Sequence, residues 1–209
     1  MRSLCLDIVN YKYELDIKLK EKDPNASINP IEYGEAVMPF WHSEICHRQQ
    51  AVKVNCFEVV GGNFNDHSGQ NQSIEQCNIL NNSASKSIGQ PSYHKVGQFP
   101  LYMAGEGKNR VSLFRKYSVD IVADIKHRKY PDADSLLIHK ALLRDLYYVS
   151  CSDKRFFESE HIKKLAFPEL TIPLLEKYGV KRGCVLIRPF ALSIKKKTLA
   201  KLCNGLLIK

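Results

Sequence analysis

Residues 99–125 constrain the fold more than any other stretch of the chain. Phe99, Leu101, Met103 and Ala104 form a short apolar run that stops at Gly105-Glu106-Gly107. Val111, Leu113, Phe114 and Tyr117 then recur at the spacing of one helix face. Val119-Asp120-Ile121-Val122-Ala123-Asp124-Ile125 reads as a second strand. The pattern predicts strand over 99–104, helix over 109–117 and strand over 119–125. It places the chain in the α+β class, with a mixed sheet and short helices.

The rest of the chain fills in around that unit. Residues 11–20 alternate apolar and polar, which predicts a strand, with residues 4–9 as its hairpin partner. A helix is expected within 28–50, in its second part near 40–50, and a strand over 51–60 that ends at Gly61-Gly62. Residues 63–90 are crowded with Asn, Gln, Ser and Gly and read as a long polar loop with a short helix near 74–80. Downstream, Pro131 and Asp132 suggest the start of a helix filling 136–148, and Ser152-Asp153 the cap of another reaching 165. A short helix over 173–178 should end at Gly179. A strand over 184–188 and a basic helix over 193–203 complete the reading. The expected organisation is a core over 1–130, with a polar loop at 61–98, and a helical, basic extension over 131–209 packed on it.

The charge is one-sided. The chain has 209 residues and a formal net charge of +9. Residues 1–100 hold 9 lysines and arginines against 11 carboxylates, and residues 101–209 hold 22 against 11. Such a field attracts polyanions, although lysine-rich surfaces also serve solubility alone. No apolar run approaches the roughly 18–20 residues that span a bilayer. Asp7 interrupts the N-terminus too early for a secretory signal, so the expected location is cytoplasmic. Seven cysteines at wide spacings, with no C-x-x-C pair, suit reduced thiols that mostly fill the core.

The glycine-rich segment carries the chemistry. The first amides of a helix lack an intrahelical acceptor and lie at the positive end of its dipole. Gly105 and Gly107 allow close backbone approach, and Lys108, Asn109 and Arg110 follow. Arg110 can grip a phosphate with two parallel donors. The combination suits an anion. It is not a Walker A loop, because Tyr102 and Asn109 stand where that motif needs glycine and a hydroxyl residue. Nor is it a dinucleotide fingerprint, because Arg110 replaces the third glycine. The alternative is a plain turn in which the glycines only relieve strain. Glu106, between the glycines, is the candidate catalytic group, as a base or as a metal ligand; the alternative is a carboxylate that pairs with Lys108 or Arg110 or simply faces water.

The phrase Gly107-Lys108-Asn109-Arg110, set between a strand and a short amphipathic helix with a strand following, resembles the ParB/sulfiredoxin superfamily and its G-x-x-R turn. The likeness covers about residues 96–126, and residues 28–31 echo the early strand of that family. The resemblance implies a ParB/sulfiredoxin-like core and a bound nucleoside triphosphate, with Mg²⁺, whose phosphates lie against the turn and Arg110. It implies a protein acting on or near DNA. Leu113 departs from the alanine common three residues after the arginine. Lys108 occupies the place of the sulfiredoxin cysteine, which argues against that activity.

Two basic clusters are candidate nucleic-acid contacts: Lys126, Arg128 and Lys129, and then Lys195, Lys196, Lys197 and Lys201. The alternative for the second is a solvated helix face docking on the core, and a continuous groove requires the two clusters to lie near each other. His42, Cys46 and His47 gather metal-capable groups, but no second ligand pair follows and no metal site is assigned. Cys151, at an expected helix start, is a weaker candidate nucleophile. Three functions stay open: a ParB-like nucleotide-binding protein, a phosphotransferase or nuclease using the same turn, and a non-enzymatic nucleic-acid- or partner-binding module.

Overall fold

A computed structural model describes residues 1–24, 26–42, 44–62, 73–83, 90–142 and 145–183. The chain is a mixed α+β protein that divides into two compact units. One comprises Arg2–Tyr33 and Ser43–Lys129; the other takes Met1, Gly34–His42 and Tyr130–Lys209.

The first unit is built on a five-stranded sheet. Its strands are β1 (Ile45–Val54), β2 (Val59–Val60), β3 (Ser92–Val96), β4 (Tyr102–Glu106) and β5 (Ile121–Arg128), in the spatial order β1-β5-β3-β4-β2. β3 runs antiparallel to β4 and parallel to β5, while β1 closes one edge antiparallel to β5. Helices α3 (Ile74–Ser83) and α4 (Arg110–Lys116) cover one face. The shared core contains Cys77, Tyr93, Ala104, Val111, Phe114, Ile121 and Ile125. Each large apolar side chain buried there contributes about 1.5–3 kcal/mol. Asn81 fastens α3 to β5: its Oδ1 accepts from the Val122 amide and its Nδ2 donates to the Asp120 carbonyl, both at 2.9 Å.

Helix α1 (Arg2–Lys20) corrects the expected hairpin over 4–20. Cys5, Ile8, Val9, Lys12, Leu15 and Asp16 are its buried residues, and their spacing is that of one helix face. The alternation misleads because two charged side chains belong to the buried stripe. Helix α2 (Pro30–Val37) also departs from expectation. Pro30 opens it, and the Asn29 side chain accepts from the Ile31 amide at 2.9 Å, so residues 28–31 lead into a helix rather than a strand. The helix expected near 40–50 is instead the start of β1. β3 was not foreseen.

The second unit carries β6 (Leu136–Lys140), β7 (Tyr147–Cys151), β8 (Ile162–Lys164) and β9 (Lys181–Arg182), in the order β8-β7-β6-β9, with α5 (Pro168–Tyr178). The helix expected over 136–148 is the β6–β7 antiparallel pair, which buries Leu136, Ile138, Tyr148 and Val149. Asp153 does cap, as expected, but it caps one 3₁₀ turn (Lys154–Phe156), where its carboxylate accepts from the Arg155 amide at 3.0 Å. α5 stops at Gly179, whose φ of 110° fits glycine. The described part of this unit is therefore as much strand as helix. The strand expected at 184–188 and the helix at 193–203 lie outside the described residues.

Candidate anion-binding turn

β4, the turn 107–109 and α4 place the glycine-rich segment at one end of the first sheet. Gly107 has φ +72°, and Pro91 stands 3.1 Å from where a β-carbon would project. Any other residue there is strained and crowded. Gly105 has a different reason: a β-carbon would meet the His94 Nε2 at 3.1 Å. The Arg110 amide donates to the Gly107 carbonyl at 3.0 Å and closes the turn. The amides of Lys108 and Asn109 find no acceptor among the described residues.

Arg110 is half-buried and forms no ion pair among the described residues. In the core, the Tyr93 hydroxyl is buried without a hydrogen-bond partner among the described residues. Burial raises the Tyr93 pKa and the Arg110 charge opposes that rise, which puts the guanidinium within electrostatic reach of the ring. Glu106 is exposed and pairs with neither Lys108 nor Arg110. The other arginine of α4 has a structural task. Arg115 lies 4.6 Å from the Tyr13 ring centroid and 5.1 Å from that of Phe57, and its Nη2 donates to Asn10 Oδ1 at 2.9 Å.

A second glycine pair, Gly61-Gly62, packs against the turn. The Gly62 amide donates to the Lys108 carbonyl at 2.9 Å. A β-carbon on Gly61 would come within 2.5 Å of the Val111 Cβ, and one on Gly62 within 2.9 Å of the Asn109 Oδ1. The Gly61 carbonyl in turn accepts from the Lys12 ammonium, which also pairs with Asp16; both side chains are fully buried. Asp16 completes its shell by accepting from the Ile28 amide at 2.9 Å. Burial is the main force lowering the Lys12 pKa, Asp16 opposes it, and Lys108 adds to it. A chain of contacts thus runs from α1 through Gly61-Gly62 to the turn. In the sequence Gly61-Gly62 reads only as a turn, and nothing there pairs it with residues 45 or more positions later.

The other candidates separate. Lys126 and Arg128 lie within β5, and Lys129 follows it, exposed. Arg128 donates through Nε to His94 Nδ1 at 2.9 Å. Lys195, Lys196, Lys197 and Lys201 lie outside the described residues. His42 and Cys46 do not share a helix. His42 stacks edge-on against Phe156, and Cys46 sits on β1, where its thiol donates to the His127 carbonyl. No group of three metal-ligating side chains occurs among the described residues. Cys151 is a buried β7 residue whose pKa burial raises, the opposite of an activated thiol. Cys5, Cys56 and Cys77 are likewise buried and free, as expected of core thiols, and burial pushes Cys5 and Cys56 up to about 11.

No helix among the described residues is long and apolar enough to cross a membrane. No family model, curated protein or solved structure matches this chain.

Proposed function

We propose that the protein binds a phosphate-bearing ligand, a nucleoside triphosphate with Mg²⁺, at Gly105, Gly107, Lys108, Asn109 and Arg110, and that it acts as a ParB-like protein on or near DNA. The observation that carries the reading is Arg110. Among the described residues the half-buried guanidinium has no carboxylate partner and the neighbouring backbone amides no acceptor, which suits a ligand that brings its own negative charge. The G-x-x-R resemblance supplies the triphosphate and the DNA. Lys126, Arg128 and Lys129 are the described cations that serve the nucleic acid in this reading, and Lys195, Lys196, Lys197 and Lys201 extend it.

A thermal-shift series with each triphosphate tests it. At a ligand concentration of about 100 times Kd, binding stabilises the native state by about 2.7 kcal/mol. The expected result is a shift with a triphosphate that Arg110→Ala abolishes while its ligand-free melt stays near wild type. No shift with any triphosphate removes the reading and favours a binding module in which the turn is structural.

One observation keeps an enzymatic version in play. Glu106 is exposed beside the turn and unpaired among the described residues, so its carboxylate is available to a metal ion or to a nucleophile's proton. If the protein is a phosphotransferase or nuclease, Glu106→Gln abolishes turnover and leaves the triphosphate shift in place.

A further inference from the structure

The two faces of β5 differ. Ile121, Ala123 and Ile125 are buried on one side, while Val122, Asp124, Lys126 and Arg128 alternate with them and stay partly exposed on the other. The exposed side continues onto β1, where Arg48 stands opposite Lys126 and Ile45 opposite Arg128. Residues paired across strands share a face. β1 is an edge strand, exposed from Cys46 to Ala51. Toward the middle of the sheet the open area ends at His94 of β3, a buried residue opposite Lys126 whose Nδ1 accepts from Arg128 Nε at 2.9 Å. With strands about 4.8 Å apart and alternate residues about 7 Å apart along a strand, Arg48, Lys126 and Arg128 rise from one small patch.

Arg48 opposite Lys126 is a like-charge pair, and such pairs destabilise a sheet. Neither cation forms an ion pair among the described residues. The nearby carboxylates are committed elsewhere. Asp124 Oδ1 accepts from the Ala51 amide at 3.1 Å and from Gln90 Nε2 at 2.9 Å, and Asp120 pairs with Lys53 at 3.6 Å. None of the large apolar side chains exposed among the described residues belongs to β1 or β5.

We infer that Arg48, Lys126 and Arg128 form a contact surface for the phosphate backbone of a nucleic-acid duplex. The inference rests on the nucleic-acid part of the proposed function and adds Arg48 to it. Closely set cations of one sign weaken the free sheet, and an anionic partner with closely set charges relieves them. The patch has no exposed ring and no apolar anchor, so it recognises charge rather than base edges and lacks the second signal that stable membrane attachment takes. Register shifts between Ile45 and His47 and between Gln49 and Val52, with Ala51 at φ 51°, interrupt the edge against which an acidic peptide or a second copy would have to pair as a strand.

Fluorescence anisotropy of the full chain with two labelled duplexes of unrelated sequence, each of about 20 base pairs, at about 50 to 200 mM salt, tests it. Wild type should bind both alike, with affinity that falls steeply as salt rises. Arg48→Gln should weaken binding about 4- to 15-fold across that range and reduce the logarithmic salt slope by about 0.9, the value of one duplex phosphate contact. Lys154→Gln, which removes an exposed charge from the other unit, should leave both unchanged. Without ligand, Arg48→Gln should melt about 1–3 °C above wild type at about 50 mM salt, because it relieves the like-charge pair. A purely structural Arg48 would melt lower when replaced, and that result overturns the inference. So does Arg48→Gln binding like wild type, a marked preference for one sequence, or displacement of the duplex by phosphatidylserine vesicles or poly-glutamate as effectively as by unlabelled duplex. Wild-type binding that Arg48→Gln leaves intact removes this surface alone, whereas no binding of either duplex by wild type removes the nucleic-acid part of the proposed function with it.

Discussion

Lys12 and Asp16 show what a single side chain contributes to the turn. A buried ion pair gains Coulomb energy in a low-dielectric setting but gives up the hydration of both charges, so it is weak evidence of stability in itself. Here each charge also has a backbone partner, the Gly61 carbonyl or the Ile28 amide. Removing one partner strands the other. Lys12→Met should therefore cost about 3–5 kcal/mol, whereas the double change Lys12→Met with Asp16→Leu should recover most of that. Urea melts of the three proteins check it; equal stabilities throughout would mean that the pair does not act as a unit. Gly107 is a second test. With φ +72° and Pro91 in the way, Gly107→Ala should cost about 1–2 kcal/mol or more in the same melts. A loss below the error of the melts would mean that the turn relaxes freely.

Between β3 and β5 the same accounting becomes a dependence on pH. His94 Nδ1 accepts from Arg128 Nε, so the imidazole must stay neutral to keep the bond. Burial, then Arg128 and Lys126, lowers its pKa to about 4. The unfolded chain takes up that proton near 6.5 and the folded one does not. His94 thus contributes stability fully above about pH 6.5 and loses it progressively as pH falls toward 4, by about 3 kcal/mol at most. His94→Gln keeps an acceptor without the titration, so its stability should be flatter between pH 7 and 4 in urea melts; an unchanged slope would assign the acid sensitivity elsewhere. β3 also shows why sequence reading stops where it does. Ser92 and His94 are polar but buried, so the strand carries no period-two signal, although it is central to the sheet. α4 and β5 were legible because their apolar residues alone mark the buried side; of α5 only the end at Gly179 was, because the helix starts at Pro168 and runs through Pro173, and Thr171 is among its buried residues. α1 was misread because Lys12 and Asp16 occupy buried positions. The β6–β7 pair was misread because a short run of Leu, Ile and Tyr carries no period that separates strand from buried helix. At the site the glycine spacing was legible, while its partner Gly61-Gly62 is joined to it only by tertiary packing.

At the scale of the whole chain, the second unit is not contiguous. It takes residues 34–42 from the N-terminal half along with 130–209. Val37, Met38 and Phe40 are buried at 0–1 % exposure. The Phe40 ring meets Phe157 at 6.5 Å, edge to face, and the Lys163 ammonium lies 4.7 Å from it. Phe40 also holds φ 73°, a backbone state that costs a bulky residue about 1–2 kcal/mol and persists only because its surroundings fix it. The sheet β8-β7-β6-β9 and α5 have a small core of their own. Three buried apolar side chains contribute about 5–9 kcal/mol together. That is comparable with the entire stability of a small domain, about 5–15 kcal/mol. A fragment of residues 130–209 should therefore lack a cooperative thermal transition by circular dichroism. In the full chain, Phe40→Ala should lower stability by about 3–5 kcal/mol. Adding a peptide of residues 30–44 to the fragment should restore part of the transition, in proportion to peptide concentration. A fragment that melts cooperatively at the full chain's temperature, without the peptide, would mean that residues 34–42 only rest on a unit already complete.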